Sequence, residues 1–307
     1  MKLDTLKNSF GDLYTQLLDQ KCCEIIVNCK EEIYYEASGK IHRFEGNTDE
    51  VSEMLKAMAG LAEIKITEET TNLRFNIGNI AISASTPKVS RKGFCFNLIK
   101  AISPRIMNLT QLEQWDAIRS EGADILRKAL KEENKSILVS GGVGAGAYTL
   151  VEALMDEIPK NYRVVTIEQN PMMPTNNPLA SNLVCSTGSR SELSKLVEAA
   201  STMRGDYVVI SELFGKEAFQ FTELLREGHD GIAHVKGSNV FDALKRLEDK
   251  ILIHPEASYS DAKYAISEAF DLVVYQERLN TGERKITTIA ELELVDGEIR
   301  LNVIYRD

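Results

Sequence analysis

A chain of 307 residues has room for two domains of ordinary size, and a composition of 43% hydrophobic and 27% charged residues excludes disordered and fibrous classes. A net charge of −10 disfavours a general nucleic-acid binder, because neutralising phosphates takes clustered Lys and Arg, and leaves room only for local basic patches. The N-terminal residues lack a positive start followed by an apolar core, and no run has the length of a membrane span, so a cytoplasmic protein is expected.

Helical spacing over 3–19 predicts an amphipathic first helix. Strands follow at 24–28, 32–37 and 40–44, the last two turned by Ser38-Gly39, and then a helix at 49–64 with Asn47 or Thr48 as its cap. Further strands are expected at 72–78, 79–86 and 93–102, which makes 1–103 a small α+β domain. Pro104 and a loss of periodicity place a linker at 104–109, and 110–133 reads as one helix. Cys22, Cys23, Cys29, Cys95 and Cys185 are scattered, without paired ligand spacing, and read as free thiols rather than a metal site.

From 137 the alternation is regular. Strands at 137–140, 163–168, 182–186, 207–212, 231–236 and 271–278 alternate with helices at 147–157, 190–203, 215–227, 239–250 and 260–269. Strands 285–295 and 298–305, turned by Asp296-Gly297, close the chain. Val/Ile-rich runs between helices predict an α/β domain over 110–307, with a mostly parallel sheet covered on both faces and an antiparallel edge. The loop 170–181 carries Met172-Met173-Pro174, which reads either as packing on its own domain or as a docking surface.

The first of those strands runs into Gly141, Gly142, Val143, Gly144, Ala145, Gly146, Ala147, Tyr148 and Thr149. A phosphate-binding loop has the form G-x-x-x-x-G-K-[ST]: backbone N–H groups cradle phosphates, the Lys reaches the β/γ oxygens and the hydroxyl holds Mg²⁺. Gly141 and Gly146 have the spacing, but Ala147 replaces the Lys and Tyr148 the hydroxyl residue. Thr149 lies one position late for a metal ligand.

With that loop in place, the chain resembles, over nearly its whole length, the secretion and pilus-assembly ATPases of type II and type IV secretion systems, especially the Flp/Tad pilus branch. The loop itself, ILVSGGVGAGAYT, resembles the family's ILVSGGTGSGKTT. RVVTIEQN (163–170) keeps Glu168 of the family's acidic Asp box but has Gln169 for its neighbour. MRGDYVVISELFGKEAF (203–219) resembles the Walker B block, keeping Arg204, Asp206, Glu212, Gly215 and Glu217, with Phe214 for an Arg. GHDGIAHVKGSN (228–239) keeps Gly228, His229 and Gly231 of the His box, with His234 for a Thr and Lys236 for the second His. The segments 242–248 and 274–292 also follow the family pattern.

The resemblance implies a small N-terminal domain, a linker and a RecA-like P-loop NTPase domain, assembled as hexameric rings with nucleotide at the junction of the two domains. It gives Glu212 and Glu168 the ancestral catalytic positions, Lys236 a place near the phosphates and His229 a structural or interface role, with Arg204 a further retained position. It also implies an N-terminal-domain cation that reaches the nucleotide across the linker, for which Arg74, Arg91 and Lys100 are the candidates, the sequence not fixing which. ATP and Mg²⁺ are the implied cofactors, with binding weakened by the loss of the Lys and the hydroxyl. The expected function is a pseudo-ATPase, a structural or regulatory component of a secretion or pilus system. It would form a homo-hexamer or join an active paralogue, against inner-membrane platform proteins and without direct nucleic-acid contact. The alternative is a divergent, active ATPase that uses Glu212 and Lys236.

Overall fold

The structure is a computed structural model that describes residues 2–307 apart from 20, 38–39, 101–106, 187–188 and 256. The Ser38-Gly39 turn lies wholly, and the 104–109 linker partly, outside the described residues. The chain divides into two compact units, the first Met1–Pro104 with Asn170–Met172 and Cys185–Ser189, the second Arg105–Gln169 with Met173–Val184 and Arg190–Asp307.

The first unit contains α1 (Lys7–Phe10), α2 (Tyr14–Leu18), β1 (Cys22–Cys29), β2 (Glu32–Ala37), β3 (Lys40–Arg43), α3 (Val51–Leu61), β4 (Asn72–Ile77), β5 (Ile80–Ser85) and β6 (Cys95–Lys100). The strands form an antiparallel sheet in the order β3-β2-β1-β6-β5-β4. Phe10, Leu13 and Leu17 from the N-terminal helices and Met54, Leu55 and Met58 from α3 pack against Ile25, Phe75, Ile82 and Phe96. The single first helix expected from periodicity is broken. Gly11 has φ +52, and a Cβ there would lie 2.4 Å from the carbonyl oxygen of Asn47, so the chain around Asn47 packs where a helix would run. Asp12 N–H donates to that same oxygen over 2.9 Å. Neither Asn47 nor Thr48 caps the next helix: Glu50 is its N-cap residue, without a side-chain cap bond. Lys100 is buried, and its Nζ donates to the carbonyls of Leu17 (2.6 Å), Asp19 (2.8 Å) and Gln16 (3.4 Å), which commits it to closing α2 rather than to a ligand.

The second unit contains α4 (Leu109–Gln114), α5 (Ser120–Lys131), β7 (Ile137–Gly141), α6 (Ala147–Glu157), β8 (Val164–Glu168), β9 (Ser181–Val184), α7 (Leu193–Ser201), β10 (Tyr207–Ile210) and α8 (Glu217–Arg226). It continues with β11 (Asp230–Lys236), α9 (Val240–Ile251), α10 (Tyr259–Ala269), β12 (Leu272–Arg278), β13 (Arg284–Val295) and β14 (Glu298–Arg306). Its sheet has the order β14-β13-β12-β7-β11-β10-β8-β9. The run from β12 to β9 is parallel and the β12-β13-β14 edge antiparallel, as the apolar runs and the closing turn predict. Alternation divides the faces: Ile137, Val139, Ile232 and Val274 pack under α5 and α6, which leaves Leu138, Val235 and Val273 for the face that α9 covers.

The expected 110–133 helix is two. Asn108 and Gln111 form a capping box at the start of α4, and Asp116 at φ +55 turns the chain before α5. The corner is pinned from β13, where Ile286 N–H donates to Ala117 O over 2.7 Å and Lys285 pairs with Asp116. Trp115 stands 65% exposed on it. Met173 is buried in this unit's core, which favours packing for that residue of the 170–181 loop. All five cysteines are free, and no helix among the described residues is long and apolar enough to cross a membrane.

Candidate functional site

The glycine-rich loop stands at the C-terminal ends of the parallel strands, where open α/β sheets place their ligand crevice. β7 is buried throughout and delivers the chain to Gly141, where a Cβ would meet the backbone oxygen of Gln276 at 2.7 Å. Gly144 (φ +77) and Gly146 (φ +91) take conformations that side-chain-bearing residues avoid, and Gly146 is the N-cap of α6. The result is a loop of backbone N–H groups ending on a helix N-terminus, the geometry that receives an anion.

The chemistry around the loop is closed on itself. Tyr148, in the first turn of α6, donates its hydroxyl hydrogen to Oε2 of Glu212 over 3.0 Å. Lys236, the last residue of β11, sets its Nζ 3.0 Å from Oε1 of the same carboxylate. Glu212 is 4% exposed and is fixed by its neighbours in the chain: Ser211 N–H donates to Ile167 O and Leu213 N–H to His234 O. Both carboxylate oxygens thus have partners from the chain. Burial, then the Glu212 charge, pushes the Tyr148 phenol above its ordinary pKa, so it remains a donor, although part of its ring stays in solvent. Thr149 is turned about 100° from Tyr148 around the helix and so does not take over the position facing Glu212.

His234 packs its ring 5.6 Å from that of Tyr148. It is 2% exposed, and burial with the nearby Lys236 charge pulls its pKa down to about 4. Glu168, at the end of β8, is 2% exposed and accepts the Met173 N–H over 2.7 Å. Phe214 has a defined place: Glu217 accepts the N–H groups of Phe214 and Gly215, Lys250 Nζ donates to Phe214 O, and the Arg190 guanidinium stacks 3.6 Å above its ring.

The structure therefore brings Gly141–Thr149, Glu212, Glu168 and Lys236 to one edge of the sheet. His229 and Arg204 lie at the opposite edge. His229 precedes β11 and has Nδ1 2.7 Å from Gly205 O, and the seven residues of β11 separate it from Lys236 by about 20 Å. Three side chains at the loop escaped the sequence reading. Arg284 donates from Nε to Gly144 O over 2.9 Å, and its Cδ lies 2.9 Å from where a Gly146 Cβ would stand. Arg278 brings Nη1 to 3.4 Å from the corresponding point on Gly144, and Gln276, 2% exposed, has Nε2 3.2 Å from that on Gly146. Both arginines sit in the 274–292 segment, which resembles the family pattern in sequence; hairpin register was the signal that could have singled them out.

The family model described as type II/IV secretion system protein matches residues 13–281. A type IV secretion system protein PtlH homologue from Bordetella bronchiseptica is 28% identical over 321 aligned positions, covering 93% of this chain and 94% of its own. Among solved structures, the ATPase DotB of Legionella pneumophila superposes with a TM-score of 0.63 at 13% identity, covering 92% of this chain and 80% of its own. The pilus retraction motor PilT with bound ADP gives a TM-score of 0.63 at 13% identity, covering 98% and 83%. With the family match, these likenesses show that the chain has the RecA-like α/β fold of those proteins.

Proposed function

The chain belongs to the type II/IV secretion system protein family, and on that premise we propose that it is a pseudo-ATPase, a structural or regulatory component of a type II/IV secretion or Flp/Tad pilus system. The observation that carries this reading is the Tyr148–Glu212–Lys236 closure. Phosphoryl transfer depends on positioning and on neutralising charge with Mg²⁺ and a P-loop cation. The residues present do not fit the metal: the cation position is Ala147, the hydroxyl ligand is replaced by a phenol, and both oxygens of Glu212 are held by the chain itself. They do fit phosphate oxygens, which need only the loop's N–H groups and the start of α6.

The protein then acts through assembly, either as a ring of its own copies or beside an active paralogue, at the cytoplasmic face of the secretion or pilus platform. Titration with Mg-ATP followed by a phosphate-release assay tests the reading. The expected result is no turnover. Turnover abolished by Glu212→Gln overturns it in favour of an active motor.

A further inference from the structure

Arg278 and Arg284 are register partners across the β12–β13 hairpin, so two guanidinium-bearing side chains stand directly opposite one another on one face. Like charges placed this way repel. Here both approach the glycine loop rather than diverge from it: the Arg284 stem lies against Gly146, its Nε holds Gly144 O, and the Arg278 guanidinium lies beside Gly144. Gly146 permits that approach, since a Cβ there would stand 2.9 Å from Arg284 Cδ. Beneath them Gln276 is 2% exposed, directs Nε2 towards Gly146 and leaves Oε1 without a hydrogen-bond partner. Two exposed guanidinium groups, a buried amide whose Oε1 has no partner among the described residues and a cradle of N–H groups thus meet at the loop. On the other side of the loop, the carboxylate that would draw a metal is already neutralised by Lys236 and Tyr148.

We propose that Arg278 and Arg284 supply the cationic charge lost with the P-loop Lys, and that the loop binds a phosphoanhydride (inorganic pyrophosphate or the diphosphate of a nucleotide) without a divalent metal. Guanidinium groups suit this task because they carry their charge at any working pH and reach two phosphate oxygens at once. The proposal rests on the pseudo-ATPase reading, since a motor would take its nucleotide with Mg²⁺.

The test is calorimetric titration of the full chain with pyrophosphate and, separately, with ADP, each in EDTA and in Mg²⁺. The expected result is binding in EDTA at least as strong as in Mg²⁺, since the metal chelates the ligand in solution and the site takes the free anion, weakened about tenfold or more in Arg278→Ala and in Arg284→Ala, and retained in part by Arg284→Lys. Arg300→Ala, which removes an exposed charge on β14, controls for net charge, and circular dichroism checks the fold of each variant. Equal affinities for the two ligands assign the site to the phosphates alone; a tighter ADP adds a nucleoside contact, and either supports the proposal. Binding seen only with Mg²⁺, binding unchanged in both arginine variants, or no binding at millimolar ligand overturns it. Phosphate release from Mg-ATP, measured separately, is what overturns the pseudo-ATPase reading, so the two failures are distinct.

Discussion

Tyr148 donates to Oε2 of Glu212 over 3.0 Å while Lys236 holds Oε1 at the same distance, so one buried carboxylate ties the first turn of α6 to the end of β11. Hydrogen bonds to a buried charge are the stronger kind. Tyr148→Phe is expected to lower stability by about 1–3 kcal/mol in urea denaturation, without creating Mg-ATP binding, because Lys236 stays on Glu212.

Restoring the consensus at two positions tests whether the rest of the frame still serves. Ala147→Lys combined with Tyr148→Thr returns the P-loop cation and hydroxyl. ATP affinity in the double variant is expected to rise about tenfold on adding Mg²⁺, whereas in the unaltered protein the metal brings no gain. Phosphate release should remain at background, since Gln169 and the Lys236–Glu212 pair are unchanged.

Glu152 on α6 is buried and accepts the Met107 N–H over 2.8 Å. Burial raises its pKa from 4.5 to about 7, against the opposing effect of that hydrogen bond. The folded state therefore holds a proton that the unfolded chain has released, and stability falls as pH rises from about 4.5 to about 7. Glu152→Gln is expected to remove that slope and to gain about 1–2 kcal/mol at pH 8, after allowance for solvent screening. Denaturation midpoints across pH 4 to 9 measure it.

His234 acts in the other direction. Its pKa is depressed from 6.5 to about 4, so below 6.5 the unfolded chain takes up a proton that the folded state refuses. Stability is full above that point and is lost as pH falls towards 4, by at most about 1.4 kcal/mol per pH unit. His234→Thr is expected to flatten this acid limb, read as the difference in slope between variant and parent.

Gly146→Ala forces a side chain into φ +91 and against the Arg284 stem. A loss of about 1–2 kcal/mol is expected from the backbone alone, with Arg284 displaced. Thermal unfolding measures the first, and weakened pyrophosphate binding the second.

The parallel sheet was legible because buried strands such as Ile137–Gly141 read as continuous apolar runs, and the loop because glycine spacing is a local property. Helix interruptions were not. The break at Gly11 depends on the packing of Asn47 from 36 positions along the chain, and that at Asp116 on contacts from β13. At the site, sequence placed Tyr148, Glu212 and Lys236 in separate blocks with separate roles; only the neighbouring ends of α6, β10 and β11 show one carboxylate holding the other two. Arg278 and Arg284 lay unremarked because their importance comes from cross-strand register.

The corner between α4 and α5 gives the protein an optical reporter. Trp115 is the chain's single tryptophan and stands 65% exposed, beside the point where Lys285 and Ile286 hold the corner to β13. Its emission should already resemble that of a hydrated indole in the native state, so denaturation will shift it little. Covering that corner by another protein should move the emission to shorter wavelength. A titration followed at that wavelength would then register assembly while remaining nearly silent to unfolding, which separates two events that most intrinsic signals confuse.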